Sequence, residues 1–216
     1  MHRLALLTLS ALSLAAQTPD SLGLFEGSGD IGTPSKKGSV VFDAATKEYK
    51  ITGGGANMWA ARDDFFFVWK KVTGDVVITA DVKIVSGGNN HRKAGLVIRR
   101  ELEPGSVYAD AVVHGDGLTA LQWREKAGDV TRTVHFPVNG PTKLRFERRR
   151  NRIIISVGKD GAPLTELGDT ELSTFNPMYV GLAVCAHDDA AETTAVFSNV
   201  TVEVTPPPPP PPAAKK

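Results

Sequence analysis

The chain has 216 residues, 41% hydrophobic and 23% charged, with 25 Lys plus Arg against 24 Asp plus Glu and a formal net charge of +1. This composition excludes a disordered or collagen-like chain, and the charge balance supplies no field to recruit nucleic acid or an anionic membrane surface. The single cysteine, Cys185, excludes an internal disulfide and any zinc site that needs two thiolates.

In chain order, the first segment reads as an address. His2 and Arg3 precede an apolar stretch over residues 4–14, and the small residues Ser13, Ala15 and Ala16 follow. That is the layout of a secretory signal peptide spanning residues 1–16. The stretch is shorter than the roughly 18 apolar residues of a membrane-spanning helix. The expectation is a secreted or periplasmic protein that is not an integral membrane protein.

Short apolar and β-branched runs then recur at residues 40–42, 49–52, 65–69, 76–85, 94–99, 108–114, 118–124, 130–136, 143–147, 153–157, 179–186 and 194–204. Turn chemistry separates them, as in Gly53-Gly54-Gly55, Gly87-Gly88-Asn89-Asn90, Pro104-Gly105-Ser106, Gly115-Asp116-Gly117, Asn139-Gly140-Pro141 and Asp160-Gly161. No window carries a capped helical period. Strands so spaced predict one all-β domain over residues 17–205, a two-sheet antiparallel jelly-roll sandwich. Beyond it, Pro206–Pro212 and the residues to Lys216 predict a polyproline II tail. It reads as a spacer, or as a contact for an envelope protein.

Alternation assigns faces within three of the runs. Ala109, Ala111 and Val113 point one way, which leaves Tyr108 and Asp110 on the other side. Leu121 and Trp123 oppose Gln122 and Arg124, and Leu96 and Ile98 oppose Val97 and Arg99. If these strands are neighbours, Arg99, Tyr108, Asp110, Gln122 and Arg124 share one polar surface. It is either a charge-paired, solvated sheet face or a sugar-binding one.

The string from His91 through Lys93-Ala94-Gly95-Leu96-Val97-Ile98-Arg99 to Arg100, then Ser106-Val107-Tyr108 and residues 117–124, carries a likeness. So do Gly53 to Trp59, residues 64–71 followed by Gly74-Asp75, and Phe197-Ser198-Asn199-Val200. Together they resemble a concanavalin A-like family of unknown function with a KAGLMIR-type motif, related to a yeast enolase regulator. Leu96-Val97 replaces the usual Leu-Met, and Leu121-Gln122-Trp123 replaces Phe-Gln-Tyr, without disturbing the alternation. The resemblance implies a jelly roll whose concave sheet face or rim loops hold a glycan or polysaccharide. It also implies a structural calcium near the N-terminal loop, for which Glu26 and Asp30 are the candidate ligands.

Sugar recognition needs an aromatic platform with polar neighbours that fix the hydroxyls. Trp59 follows a glycine-rich turn and is the candidate platform, while Trp69 and Trp123 alternate with apolar residues as core side chains do. Asn57, Asp64, His91, Lys93, His114 and His187 fall at strand ends or turns and are candidates for the rim. The Glu-x-Asp-x-x-Glu strand of jelly-roll glucanases is absent, as are a Gly-x-Ser-x-Gly elbow and a phosphate-binding loop. The leading expectation is therefore a non-catalytic carbohydrate-binding module. The alternatives are a glycoside hydrolase or lyase using Asp110 with His114, and an envelope adaptor using the proline tail.

Overall fold

The computed structural model describes residues 22–173 and 175–207. The expected signal peptide and most of the tail lie outside them. The described residues form two seven-stranded antiparallel sheets and one two-stranded hairpin. In spatial order the first sheet is β1 (Gly27–Ile31), β6 (Phe65–Val72), β15 (Met178–Cys185), β8 (Lys93–Arg99), β9 (Tyr108–His114), β10 (Thr119–Arg124) and β11 (Arg132–Phe136). The second is β14 (Thr165–Glu171), β13 (Arg152–Gly158), β12 (Lys143–Arg149), β7 (Asp75–Ile84), β16 (Thr193–Thr205), β3 (Glu48–Gly53) and β2 (Ser39–Asp43). The hairpin pairs β4 (Met58–Trp59) with β5 (Arg62–Asp63). The jelly-roll sandwich expected from the strand spacing is the fold observed.

The two sheets pack through their inner faces. Leu96, Ile98, Ala109, Ala111 and Leu121 of the first meet Ile51, Ile78, Phe146, Ile155 and Phe197 of the second, all buried. Val76, Ile78, Ala80 and Val82 alternate with more exposed residues along β7, so the second sheet has one dry and one wet face. The first sheet differs: every residue of β8 and β9 is buried. Burial on both sides means that its outer face is covered.

The cover is the hairpin and the loops beside it. Met58, Phe65, Phe67, Val97, Tyr108 and Ala183 form a second apolar cluster on that outer face. Three glycines carry the chain into the hairpin, and Gly55, at φ +100°, would place a Cβ 2.0 Å from the Asp64 carbonyl oxygen. Only glycine fits that bend. Gly27 in β1 leaves room for the Trp69 indole, which an added Cβ would meet at 2.8 Å. Trp69 therefore packs on the outer cluster, whereas Trp123 packs against the core between the sheets.

Strands β1, β14 and the hairpin are additional to the runs read from the sequence. β11 starts at Arg132, later than expected, with Val130 65% exposed.

Candidate functional site

The five residues predicted to share one polar surface do lie on one side of the first sheet. In adjacent strands Arg99 pairs with Tyr108, Tyr108 with Arg124, and Asp110 with Gln122. They are not, however, a surface. Arg99, Tyr108, Asp110 and Arg124 are 0% exposed, because the hairpin and its flanking loops lie over them. This corrects the expectation of a solvated or ligand-contacting face for Arg99, Tyr108 and Arg124.

What holds the cover down is Asp63, a residue to which the sequence analysis gave no role. Its Oδ1 accepts from Arg124 Nη2 at 2.7 Å, and its Oδ2 accepts from Arg124 Nη1 at 3.0 Å and Arg99 Nη1 at 3.2 Å. The side chains of Asp63, Arg99 and Arg124 are all fully buried. The remaining guanidinium donors reach backbone carbonyls of Ala60, Glu101, Glu103, Pro104, Ser106 and Asp129. The Tyr108 ring lies against both guanidinium groups, 4.9 Å from Arg124 and 5.9 Å from Arg99. Ala60 at the hairpin tip adopts φ 52°, a left-handed conformation costing about 1–2 kcal/mol outside glycine. Its carbonyl accepts from Arg124 and Thr131. This cluster is structural: it fixes the hairpin on the sheet.

Beside the cluster the outer face opens into a pocket of about 330 Å³ lined by Asn57, Trp59, His91, Lys93, His114, Leu118, Gln122, His135 and His187. Six of these were predicted site residues, and they do converge. His187, foreseen at the rim, joins them, and His135 was missed because its edge strand shows no polarity pattern. The floor follows from the strand registers, which align the small residues Ala183, Gly95 and Ala120 across the sheet with Val112. Lys93 and His114, paired across β8 and β9, stand on one side of that row, and Asp110 and Gln122 on the other. Trp59 and Asn57 form the wall contributed by the hairpin and the turn leading into it.

The electrostatics of the pocket are unusual. Lys93 is 2% exposed, and its Nζ donates to Asn57 Oδ1 at 2.5 Å. Burial holds this lysine below its ordinary range, against the opposing pull of Cys185 and Asp110. Asp110 is pushed well above the carboxylate range, first by burial, with Lys93 opposing. The Gln122 backbone NH also opposes, without a hydrogen bond of good geometry. Burial and then Lys93 lower His114 to about 3, and the same causes lower His187. The His91 ring stacks edge-on against His114 at 5.8 Å and tilted against His187 at 5.4 Å. Both oxygens of Asp110, both ring nitrogens of His114, Oε1 of Gln122 and Nδ1 of His187 are buried without a partner among the described residues.

Other predicted residues do other work. Asp64 accepts the Thr33 backbone NH at 2.8 Å and lies outside the pocket. Glu26 accepts the Lys71 backbone NH, while Asp30 accepts that of Gly38 and pairs with Lys37. Glu26 and Asp30 stand four residues apart on an extended chain, roughly 13 Å. Among the described residues no three His, Cys, Asp or Glu side chains group as metal ligands would. Asp110 and His114 are also four apart on one strand, with Val112 between, so they are too far separated to act as an acid and base on one bond.

A larger cavity of about 750 Å³ lies around Tyr179, lined by Lys71, Arg100, Glu101 and Glu103 among others. It contains no buried unpartnered side-chain atom among the described residues, so the smaller pocket is the better candidate site.

No family model matches the chain, and no curated protein matches it. Solved structures do. A protein of unknown function from Saccharomyces cerevisiae aligns with TM-score 0.63 at 16% identity over 82% of this chain and 96% of its own. A carbohydrate-binding module from Bacillus subtilis aligns with TM-score 0.54 at 18% identity over 83% and 96%. A β-glucanase from Bacillus licheniformis aligns with TM-score 0.50 at 10% identity over 77% and 82%. At these identities the likeness is one of fold, and the fold is the two-sheet jelly-roll sandwich.

Proposed function

We propose that this protein is a secreted carbohydrate-binding module that holds a saccharide in the pocket between Trp59 and the β8–β10 surface. The observation carrying this reading is the group of buried polar atoms on the pocket residues His114, Gln122 and His187 that have no partner among the described residues. Buried polar groups are nearly always satisfied, and each one left unmade costs about 1–3 kcal/mol. Such a cluster in one pocket fits partners that arrive with a ligand. Hydroxyl groups suit it, because they both donate and accept, and a pyranose ring offers an apolar face to the Trp59 indole.

The fold shared with a carbohydrate-binding module and a β-glucanase supports the reading. So do the strings around Lys93–Arg99, by which we also assign the chain to the concanavalin A-like family of unknown function. Binding is preferred to catalysis because Asp110 and His114 are held apart on β9.

Glycan-array binding by the exported protein tests the proposal, with calcium present and chelated. Binding abolished in Trp59→Ala is the expected result. A wild-type protein that binds no glycan in either condition would rule the reading out.

A further inference from the structure

Resting on that reading, we infer that the pocket is specific for an acidic saccharide, whose carboxylate sits against the Lys93 ammonium. Lys93 opens β8, with His114 paired to it on one side and Cys185 on the other. It is 2% exposed, yet it makes no ion pair among the described residues and one hydrogen bond, to Asn57. An ammonium has three donors, and a buried cation without a counter-charge is among the costlier features a fold can carry.

The groups facing Lys93 do not supply that counter-charge. No carboxylate lines the pocket. Asp110, the cross-strand partner of Gln122, lies beyond ion-pair distance of Lys93, as does Asp63, which is paired with Arg99 and Arg124. Burial pushes the Cys185 thiol up to about 11, so it is uncharged at neutral pH, and His114 and His187 are held neutral. The other residues around the opening are histidines, His91 and His135, which add positive or no charge.

The rest of the lining selects a sugar over a bare anion. Trp59 supplies a ring face, while Gln122, His114 and Asn57 supply groups for hydroxyls. At about 330 Å³ the pocket is at the small end of ligand sites, with room for about one or two sugar rings. The ligand that meets every feature is a uronate residue within a glycan.

The test titrates the exported protein by calorimetry with uronate trisaccharides of the galacto and manno series, and with the same trisaccharides after their carboxyls are reduced to alcohols. Reduction is expected to weaken binding about 10- to 100-fold, the range for hydrogen bonds to a charged group. Lys93→Gln is expected to lose the same factor for the acidic ligand and markedly less for the reduced one, so that the gap between the two ligands closes. Because the reduced ligand is tested on wild-type protein, the result stands even if Lys93→Gln fails to fold.

Equal affinity for acidic and reduced forms, with both lost in Trp59→Ala, would overturn the acidic specificity and leave the saccharide pocket standing. Inorganic sulfate binding as tightly as the uronate, insensitive to Trp59→Ala, would overturn it in favour of a simple anion site. Failure of both forms to bind wild-type protein, on an array that is otherwise blank, would remove the pocket reading itself.

Discussion

Asp110 is wholly buried between Val97 and Gln122, and its proton balance differs from that of a surface carboxylate. Its folded-state pKa is raised by burial, so its contribution to stability is present below the unfolded value of about 3.9 and is lost as pH rises. His114 acts in the opposite sense. With a folded value of about 3 and an unfolded value of about 6.5, it makes stability rise with pH across that interval. The slope from one such group is at most about 1.4 kcal/mol per pH unit. Above pH ~4 the two effects partly cancel.

Asp110→Asn removes one of them. The variant should be more stable than wild type at pH 7 by about 1–3 kcal/mol, because no ionisable group is then buried there. Its stability should also rise more steeply between pH 4 and 6.5. Urea unfolding from pH 4 to 8 reads both quantities. A variant less stable than wild type at pH 7 would mean that Asp110 is satisfied within the fold.

Among the elements, the hairpin β4–β5 is the one held by charge. It contributes two residues to each of its strands and pairs with neither large sheet. Its attachment is the carboxylate of Asp63 between Arg99 and Arg124. Removing one member of a buried ion cluster leaves the others uncompensated, typically at about 3–5 kcal/mol. Asp63→Asn should therefore lower stability by that order and also weaken ligand binding through Trp59, with the loss read by denaturant unfolding and calorimetry together. Loss of binding at unchanged stability would show that Asp63 touches the ligand directly.

The same element marks the limit of what the sequence disclosed. Alternation placed Arg99, Tyr108, Asp110, Gln122 and Arg124 on one side of three neighbouring strands, which the registers bear out. Alternation reports a side but not what lies over it, so the cover contributed by residues 57–64 was invisible. Strand β14 was equally hidden: its residues Thr-Glu-Leu-Gly-Asp-Thr-Glu lie at a sheet edge and bury none of their number, so no apolar period exists to be read. β1 was masked by Gly27 and Gly29, the first of which leaves the room that the Trp69 indole occupies.

For the whole molecule, the second sheet joins segments far apart in the chain. Phe197 of β16 pairs with Tyr49 of β3 and with Val82 of β7, and β15 is inserted between β6 and β8. Neither sheet can be completed until the last third of the chain has arrived. Non-local all-β topologies of this kind fold on millisecond-to-second scales. Refolding from urea, followed by stopped-flow tryptophan fluorescence, should accordingly show its main phase no faster than about milliseconds. A dominant microsecond phase would contradict the topology. The near-zero net charge adds a separate expectation: salt should alter ligand affinity only through the local charge at Lys93, since no long-range field exists to be screened.

The hairpin divides its duties between two sets of side chains that do not overlap. Asp63 fastens it, whereas Trp59 and the adjoining Asn57 face the ligand pocket. The second set is free to change while the first stays. In a library randomised at Trp59 and Gln122, a large share of members should remain folded and differ in what they bind. In one randomised at Asp63, Arg99 and Arg124, survivors should be rare and should replace all three positions together. The protein thus separates the part that can be retuned for new ligands from the part that keeps the scaffold intact.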